Sequence, residues 1–164
     1  MAERKPYAKG TKTAIATSEA QIKSMLQREG ADAIAVVEGR DRAQVAFQLN
    51  GRQIRFTLPL PSRDDERFTT RSVNQYGGRM ATSPDTAANL WLQACRERWR
   101  QLHLCIKAKL ESIAGNIETF DEAFLAHVVM EGGQTVGDMV IPEVQSRLAG
   151  NPPRPLLPGP GRLS

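Results

Sequence analysis

The longest regular pattern of apolar positions lies between residues 83 and 115 and predicts one amphipathic helix. At about 100° per residue, its apolar positions fall within about 40° of one line. Ser83 is a suitable N-cap, Pro84 suits the first helical position, and Gly115 suits the C-terminal end. We expect the rest of the fold to pack on the face formed by Ala88, Trp91, Leu92, Cys95, Trp99, Leu102, Ile106, Leu110 and Ile113.

A two-residue alternation earlier in the chain predicts a β-hairpin. Ala43–Leu49 and Arg52–Leu58 flank Asn50-Gly51, a dipeptide typical of two-residue hairpin turns, and Ile34–Val37 predicts a third strand. The turn sets the register, which pairs Leu49 with Arg52, Phe47 with Ile54, Val45 with Phe56 and Ala43 with Leu58. This register places the large apolar side chains on one face of the sheet.

A first helix precedes the strands. Ser18 and Gln21 form a capping box, the helix turns Ile22 inward, and Gly30 ends it. The order α-β-β-β-α predicts an α+β fold, in which a three-stranded antiparallel sheet packs on the long helix. We expect a flexible basic arm at residues 1–16, one domain at 17–149 and a Pro-rich disordered tail at 150–164.

Two regions remain between and after these elements. Ser62–Thr82 has no clear period, which is typical of a functional or a disordered loop. After the long helix, a capping box at Thr119 predicts a helix to about Met130. Thr135 begins a last helix, bent or broken at Pro142, and together these helices form a small C-terminal appendix.

The charged residues are distributed unevenly along the chain, and this distribution is more informative than the overall composition. The net charge is +4, but residues 1–110 carry 19 Lys and Arg against 11 Asp and Glu, whereas residues 111–150 carry one Arg against seven acids. A basic front and an acidic back suit a polyanionic partner or head-to-tail self-association.

Composition and cysteine positions indicate a cytoplasmic protein. No apolar segment reaches the length of a membrane span, and the N-terminus lacks the apolar core of a signal peptide. Cys95 and Cys105 lie about 15 Å apart on one helix, too far for a mutual disulfide. We expect two reduced, largely buried thiols.

Motifs for catalysis and metal binding are absent from the sequence. It has no GxSxG, Walker or GxGxxG motif, and the thiols have no histidine nearby in a catalytic spacing. His103 and His127 have no metal-ligand spacing, and Asp64-Asp65-Glu66 lacks a second set of ligands. We therefore expect no enzyme, metal or small-molecule cofactor.

The basic side chains are the remaining functional signal. Arginine suits phosphates and can stack on bases, although flanking cations on an amphipathic helix often only cover the edge of the core. The candidate phosphate contacts are Arg52, Arg55, Arg63, Arg67, Arg71, Arg79, Arg96, Arg100 and Lys107. The candidate stacking residues are Phe68 and Tyr76.

Three segments carry a resemblance to a family of uncharacterised small phage and prophage proteins. They are NGRQIRFTLPLP from Asn50, WLQACRERWRQLHLCIKAKLESI from Trp91, and TFDEAFLAHVVM from Thr119 with the following GQTVGDMVIPE. The family has no assigned activity, so the resemblance implies a genomic setting only. The element order also resembles double-stranded-RNA-binding domains and, more distantly, phage single-strand annealing proteins, but the Lys-rich start typical of the second helix in double-stranded-RNA binders is missing.

We therefore hypothesise a non-catalytic accessory protein of phage DNA metabolism that binds single-stranded or structured nucleic acid. The alternative is a protein-binding module, either an inhibitor of a host factor or a homo-oligomeric scaffold. Salt dependence separates the two, because phosphate contacts weaken steeply with salt while an apolar protein interface changes little.

Overall fold

The computed structural model describes residue 8, residues 10–73 and residues 77–149. Its helices are α1 (Ile15–Arg28), α2 (Glu66–Thr69), α3 (Pro84–Ala114), α4 (Phe120–Phe124) and α5 (Val136–Leu148). Its strands are β1 (Ala33–Glu38), β2 (Arg42–Leu49), β3 (Arg52–Pro59), β4 (Thr70–Ser72) and β5 (Arg79–Ala81). The predicted α+β class is confirmed, with a three-stranded antiparallel sheet, one long helix and a small C-terminal helical region. Tyr76, the tail 150–164 and most of the predicted arm lie outside the described residues.

The main sheet has the order β1-β2-β3 and the predicted hairpin register. Phe47 lies opposite Ile54, and Val45 lies opposite Phe56. The turn residues have φ values of 51° at Asn50 and 70° at Gly51, which is the left-handed conformation that this turn requires. The large apolar residues of β2 and β3 are buried on one face, as the alternation predicted.

Helix α3 begins and ends where the sequence predicts. The Ser83 hydroxyl accepts a hydrogen bond from the Thr86 N–H, and Gly115 follows the last helical residue. The centre of the predicted apolar face is buried, at Cys95, Trp99, Leu102, Ile106 and Leu110. The face is shorter than predicted, because Ala88 is exposed at its start.

Two details of the helices differ from the sequence prediction. Helix α1 begins at Ile15, not after Ser18, and Ser18 is fully buried inside the helix. Half-buried Ile15 packs against the core, which favours one more helical turn. Cys105 is exposed, so the prediction of two buried thiols holds only for Cys95.

The described part of the predicted arm lies against α3. The Gly10 N–H donates to the Glu97 carboxylate at 2.7 Å, and the Gln93 amide donates to the Thr11 carbonyl at 2.8 Å. Helix α1 itself packs alongside α3, and both helices cover the apolar face of the main sheet.

The region 62–82 has more structure than its aperiodic sequence predicted. Asp65 caps the single turn of α2 by accepting from the Arg67 N–H. Strands β4 and β5 then pair as a separate two-stranded sheet, in which Arg71 lies opposite Met80. Phe68 is only 4% exposed and anchors this region to the protein.

The C-terminal region covers one edge of the main sheet. Helix α4 begins at the predicted Thr119 capping box but ends at Phe124, and a 3-10 turn follows at Leu125–His127. The predicted continuation to Met130 is wrong because the chain becomes extended there. Val128 pairs with Ile54 on β3, and the Val129 N–H donates to the Gln53 carbonyl at 2.8 Å. This pairing satisfies backbone groups at the edge of β3.

Helix α5 begins with the predicted Thr135 cap and continues through Pro142 to Leu148. The Thr135 hydroxyl accepts from the Asp138 N–H, and the Asp138 carboxylate accepts from the Thr135 N–H. Gly137 is buried against Ala126 in the 3-10 turn. Beyond this first turn the helix leaves large apolar side chains exposed, namely Met139, Val140, Ile141, Val144 and Leu148.

Candidate nucleic-acid interface

Two of the candidate arginines in the region 62–82 are paired with nearby carboxylates. The Arg67 guanidinium lies 2.9 Å from the Asp65 carboxylate, and the Arg79 guanidinium lies 2.9 Å from the Glu66 carboxylate. Both pairs are well exposed and contribute little to stability. Their charges are compensated locally, which reduces their attraction for a phosphate.

The other two arginines of this region contact uncharged groups. Arg63 lies over the Trp91 ring, with its guanidinium carbon 3.8 Å from the ring centroid. This is a cation–π contact, and it occupies one face of the indole. One Arg71 guanidinium nitrogen lies 3.6 Å from the Met80 sulfur.

The candidate arginines of β3 hold the C-terminal region in place. Arg52 contacts Asp121 at the start of α4, with 3.2 Å between Nε and a carboxylate oxygen. Arg55 donates to the Gly133 carbonyl at 2.7 Å and lies 3.7 Å from the Asp138 carboxylate. Because each side chain is bound to another part of the fold, both arginines have a structural role on the sheet.

The predicted stacking residues are not available together. Phe68 is buried, and the Arg67 guanidinium lies 4.6 Å from its ring centroid, so the prediction that Phe68 stacks on bases is wrong. Sequence reasoning placed it on a surface loop because the short α2 that buries it has no recognisable period. Tyr76 lies outside the described residues.

The remaining candidates, Arg96, Arg100 and Lys107, lie along one flank of α3. This stripe extends about 16 Å, given a rise of 1.5 Å per residue. Arg100 donates to the Gln21 side-chain oxygen at 2.7 Å, so it is oriented by α1 and not neutralised. No ion pair to a carboxylate is found for any of the three within the described residues.

Arg100 and Lys107 of the α3 stripe line a groove between α1 and α3. The groove has a volume of about 760 Å³, and its charged lining consists of Arg28, Arg100 and Lys107 against Glu29 and Glu111. Apolar side chains of Met25 and Leu110 contribute to its lining. Sequence reasoning missed Arg28, which lies across the groove from the basic flank of α3. Its position in the last turn of an amphipathic helix could have indicated it as a candidate phosphate contact.

His103 lies in the same groove beside the two cations. Burial, followed by the nearby Arg100 and Lys107 charges, lowers the pKa of His103 below its usual value near 6.5. The imidazole is therefore neutral at neutral pH. One Arg100 guanidinium nitrogen lies 3.2 Å from its Nδ1, which can accept that hydrogen bond in the neutral ring. His103 thus positions Arg100 without adding a charge.

A second cavity lies between β3, the 3-10 turn and α5. Its volume is about 450 Å³, and its lining includes Arg55, His127, Thr135 and Asp138. The Arg55 Nε is buried and has no hydrogen-bond partner in the part of the chain that the structure describes. Burial lowers the pKa of His127, whose ring stacks on Phe56 at 3.9 Å between centroids. Asp138 occupies the anionic position beside Arg55, so this cavity is poorly suited to a phosphate.

Cys95 is one of the residues that line a third cavity. The cavity has a volume of about 290 Å³, and Glu38, Arg63, Trp91 and Trp99 contribute to its lining. Burial raises the pKa of the Cys95 thiol, which keeps it protonated and unreactive.

In the described parts of the chain, no three His, Cys, Asp or Glu side chains are close enough to share a metal ion. Nor does any helix among those residues have the length and apolar character needed to cross a membrane.

Comparisons with protein-family models, with curated proteins and with solved structures found no match to this chain.

Proposed function

We propose that the protein binds nucleic acid, single-stranded or structured, through phosphate contacts made by the α3 stripe and Arg28. In this proposal it acts in the host cytoplasm as a non-catalytic accessory of phage or prophage DNA metabolism. The observation that supports it best is the contrast between two groups of cations. Arg52, Arg67 and Arg79 are paired with carboxylates, whereas the α3 stripe lacks such partners within the described residues.

The geometry of the stripe suits a polyanion. Its length of about 16 Å corresponds to roughly five nucleotides, given a rise of about 3.4 Å per nucleotide along one strand of B-form DNA. Arg100 is held by Gln21 and His103, so less side-chain freedom is lost when it binds a phosphate. Nothing in this arrangement reads base edges. We therefore expect binding that depends weakly on sequence and strongly on salt.

The proposal can be tested with two double variants that remove the same charge. Arg96→Gln with Arg100→Gln removes two cations of the stripe, and Arg52→Gln with Arg79→Gln removes two exposed cations that are already paired. Binding of single- and double-stranded DNA and RNA is measured by fluorescence anisotropy over a range of salt. The stripe variant should bind more weakly, and its slope of log affinity against log salt should flatten by about 0.7 to 0.9 for each phosphate that it no longer neutralises.

The paired-arginine variant is the matched control. It should keep the wild-type slope, because its two arginines make no phosphate contact in this proposal. Circular dichroism of both variants confirms that the fold is retained, since the arginine stems also cover apolar surface. Equal losses of affinity in both variants would mean that net charge alone drives binding, and no binding by the wild type at low salt would refute the proposal.

A second candidate function is supported by helix α5. Several of its large apolar side chains are exposed, with Val144 at 45% and Leu148 at 67%. Exposed apolar patches of this kind mark contact sites for other proteins. This observation favours the protein-binding module, as an inhibitor of a host factor or a scaffold. Binding that changes little with salt and is abolished in Val144→Ser with Leu148→Ser would support it.

A further inference from the structure

We infer that two copies of this chain pair through the free edge of β1, forming one six-stranded antiparallel sheet with its two-fold axis at Val36. Strand β1 is at the end of the sheet order and, among the described residues, pairs with β2 alone. Within the described residues, no backbone hydrogen bond reaches β1 from any other element. The opposite edge of the sheet, at β3, is covered by Val128 and Val129.

The hydrogen-bond pattern shows which backbone groups face this edge. The Gly39 N–H donates to the Arg42 carbonyl at 2.8 Å, and this pair continues the register in which Glu38 lies opposite Ala43. Bonded residues alternate along an antiparallel strand, so odd-numbered residues of β1 face β2. The N–H and C=O groups of Ile34, Val36 and Glu38 therefore point to the free edge.

Apart from Glu38 at its end, the side chains of β1 do not protect that edge. Exposed edge strands usually carry lysine, proline or a bulge that prevents pairing with another chain. The β1 sequence AIAVVE contains no Lys or Pro, and its ladder with β2 is uninterrupted over all its residues. Val37 is 62% exposed. An apolar edge of this kind is suited to a second strand.

Two-fold symmetry, charge and the number of outward-facing residues used favour one register. Only even-numbered residues face the edge, so each of them must pair with an even-numbered residue of the second copy. The midpoint between two even numbers is a whole number, and the two-fold axis therefore passes through a residue and not between two residues. An axis at Ala35 would bring Asp32, which precedes β1, close to Glu38 of the second copy, with like charges together. An axis at Val36 uses all three outward-facing residues and brings Asp32 toward Arg40 of the second copy, which lies in the turn after β1, with opposite charges together.

The same register covers the exposed apolar surface. It places Ala35 opposite Val37 of the second copy, on the outer face of the sheet. Asp32 and Arg40 are both exposed, and neither has an ion pair within the described residues. In one chain they lie beyond opposite ends of the six-residue strand β1, which is about 20 Å long. They can therefore meet only across the two-fold axis.

Charge reversal provides the test. The association of the full chain is measured by sedimentation equilibrium without nucleic acid, for wild type, Asp32→Arg, Arg40→Asp and the double variant. Each single variant brings like charges together at two places in the dimer. The dissociation constant of the dimer should therefore rise by roughly tenfold. The double variant restores opposite charges and should restore wild-type association.

A proline substitution tests the backbone pairing separately. Val36→Pro removes an N–H that β2 does not use, and proline is tolerated on edge strands when its position faces outward. We expect a folded monomer, whereas the control Val36→Thr, which keeps the N–H, should remain a dimer. If Val36→Pro does not fold, the charge reversals decide the question. A wild type that stays monomeric, a double variant without rescue, or a dimer unaffected by these changes would overturn the inference.

Discussion

Replacing Gly137 by alanine should loosen the C-terminal region from the sheet. A Cβ at this position would lie 2.7 Å from the Ala126 carbonyl oxygen and 3.4 Å from the Ala126 Cβ. The near atom is backbone, so a change of rotamer cannot relieve the clash. The 3-10 turn is also fixed on both sides, because the Val128 carbonyl accepts from the Val136 N–H at 2.9 Å and Val129 is bonded to β3. Helix α5 must therefore move.

Two effects of opposite sign determine the size of the change in stability. Alanine in place of glycine within a helix gains about 1 kcal/mol. Inserting a methyl group into a tightly packed contact costs about 1–3 kcal/mol. The expected result is a net loss of up to about 2 kcal/mol. For a protein of this length, each 1 kcal/mol corresponds to a decrease of about 2–4 °C in the melting temperature.

Thermal unfolding monitored by circular dichroism measures this effect, and Ser146→Ala is the matched control. Ser146 is exposed on the same helix, so that variant reports the propensity gain without a clash. Hydrogen exchange at the Val136 amide adds a local measurement, since its bond to Val128 breaks when α5 moves away. If Gly137→Ala stabilises the protein as much as Ser146→Ala does, the close contact with Ala126 is absent and our reasoning is wrong.

Three further changes test the core, the hairpin and the titration of the histidines. Trp99→Ala should cost about 3–5 kcal/mol in urea unfolding, because Trp99 is 1% exposed, and a wild-type midpoint would contradict its burial. Asn50→Val with Gly51→Val should cost about 1 kcal/mol or more, because both residues have positive φ; an unchanged melting temperature would contradict the turn. The pKa values of His103 and His127 are lowered, so the unfolded chain binds more protons, and stability should fall as the pH drops below about 6.5. Replacing both histidines by glutamine should flatten this dependence of the melting temperature, and an unchanged dependence would contradict the assignment.

The elements that follow from local patterns were predictable from the sequence. The Asn50-Gly51 turn and the two-residue period determined the register of β2 and β3 residue by residue. The caps at Ser83 and Gly115, with the period between them, determined the bounds of α3. In these cases turn chemistry, capping and periodicity all favour the same structure, and the long-range contacts are compatible with it.

The candidate site was less predictable, because the free energy of a charge depends on its neighbours. Arg52 is paired with Asp121, 69 residues away in the sequence, and nothing local to either residue indicates this contact. Phe68 was misplaced for a similar reason, since its burial depends on tertiary packing. The pairing of Arg67 with Asp65 did have a local signal, because Asp65 belongs to the acidic cluster that directly precedes Arg67.

The contacts of Arg52 and Arg55 also show why the uneven distribution of charge along the sequence overestimates the positive charge that the folded protein exposes. Arg52 and Arg55 belong to the basic front of the sequence, and Asp121 and Asp138 belong to its acidic back. In the folded protein these residues contact each other and hold the C-terminal region against β3, so part of the asymmetry is cancelled inside the fold. The α3 stripe takes no part in this cancellation, because none of its three cations has an ion pair to a carboxylate within the described residues. For this reason a variant of Arg55 should mainly change stability, whereas a variant of Arg96 should mainly change the binding of a polyanion.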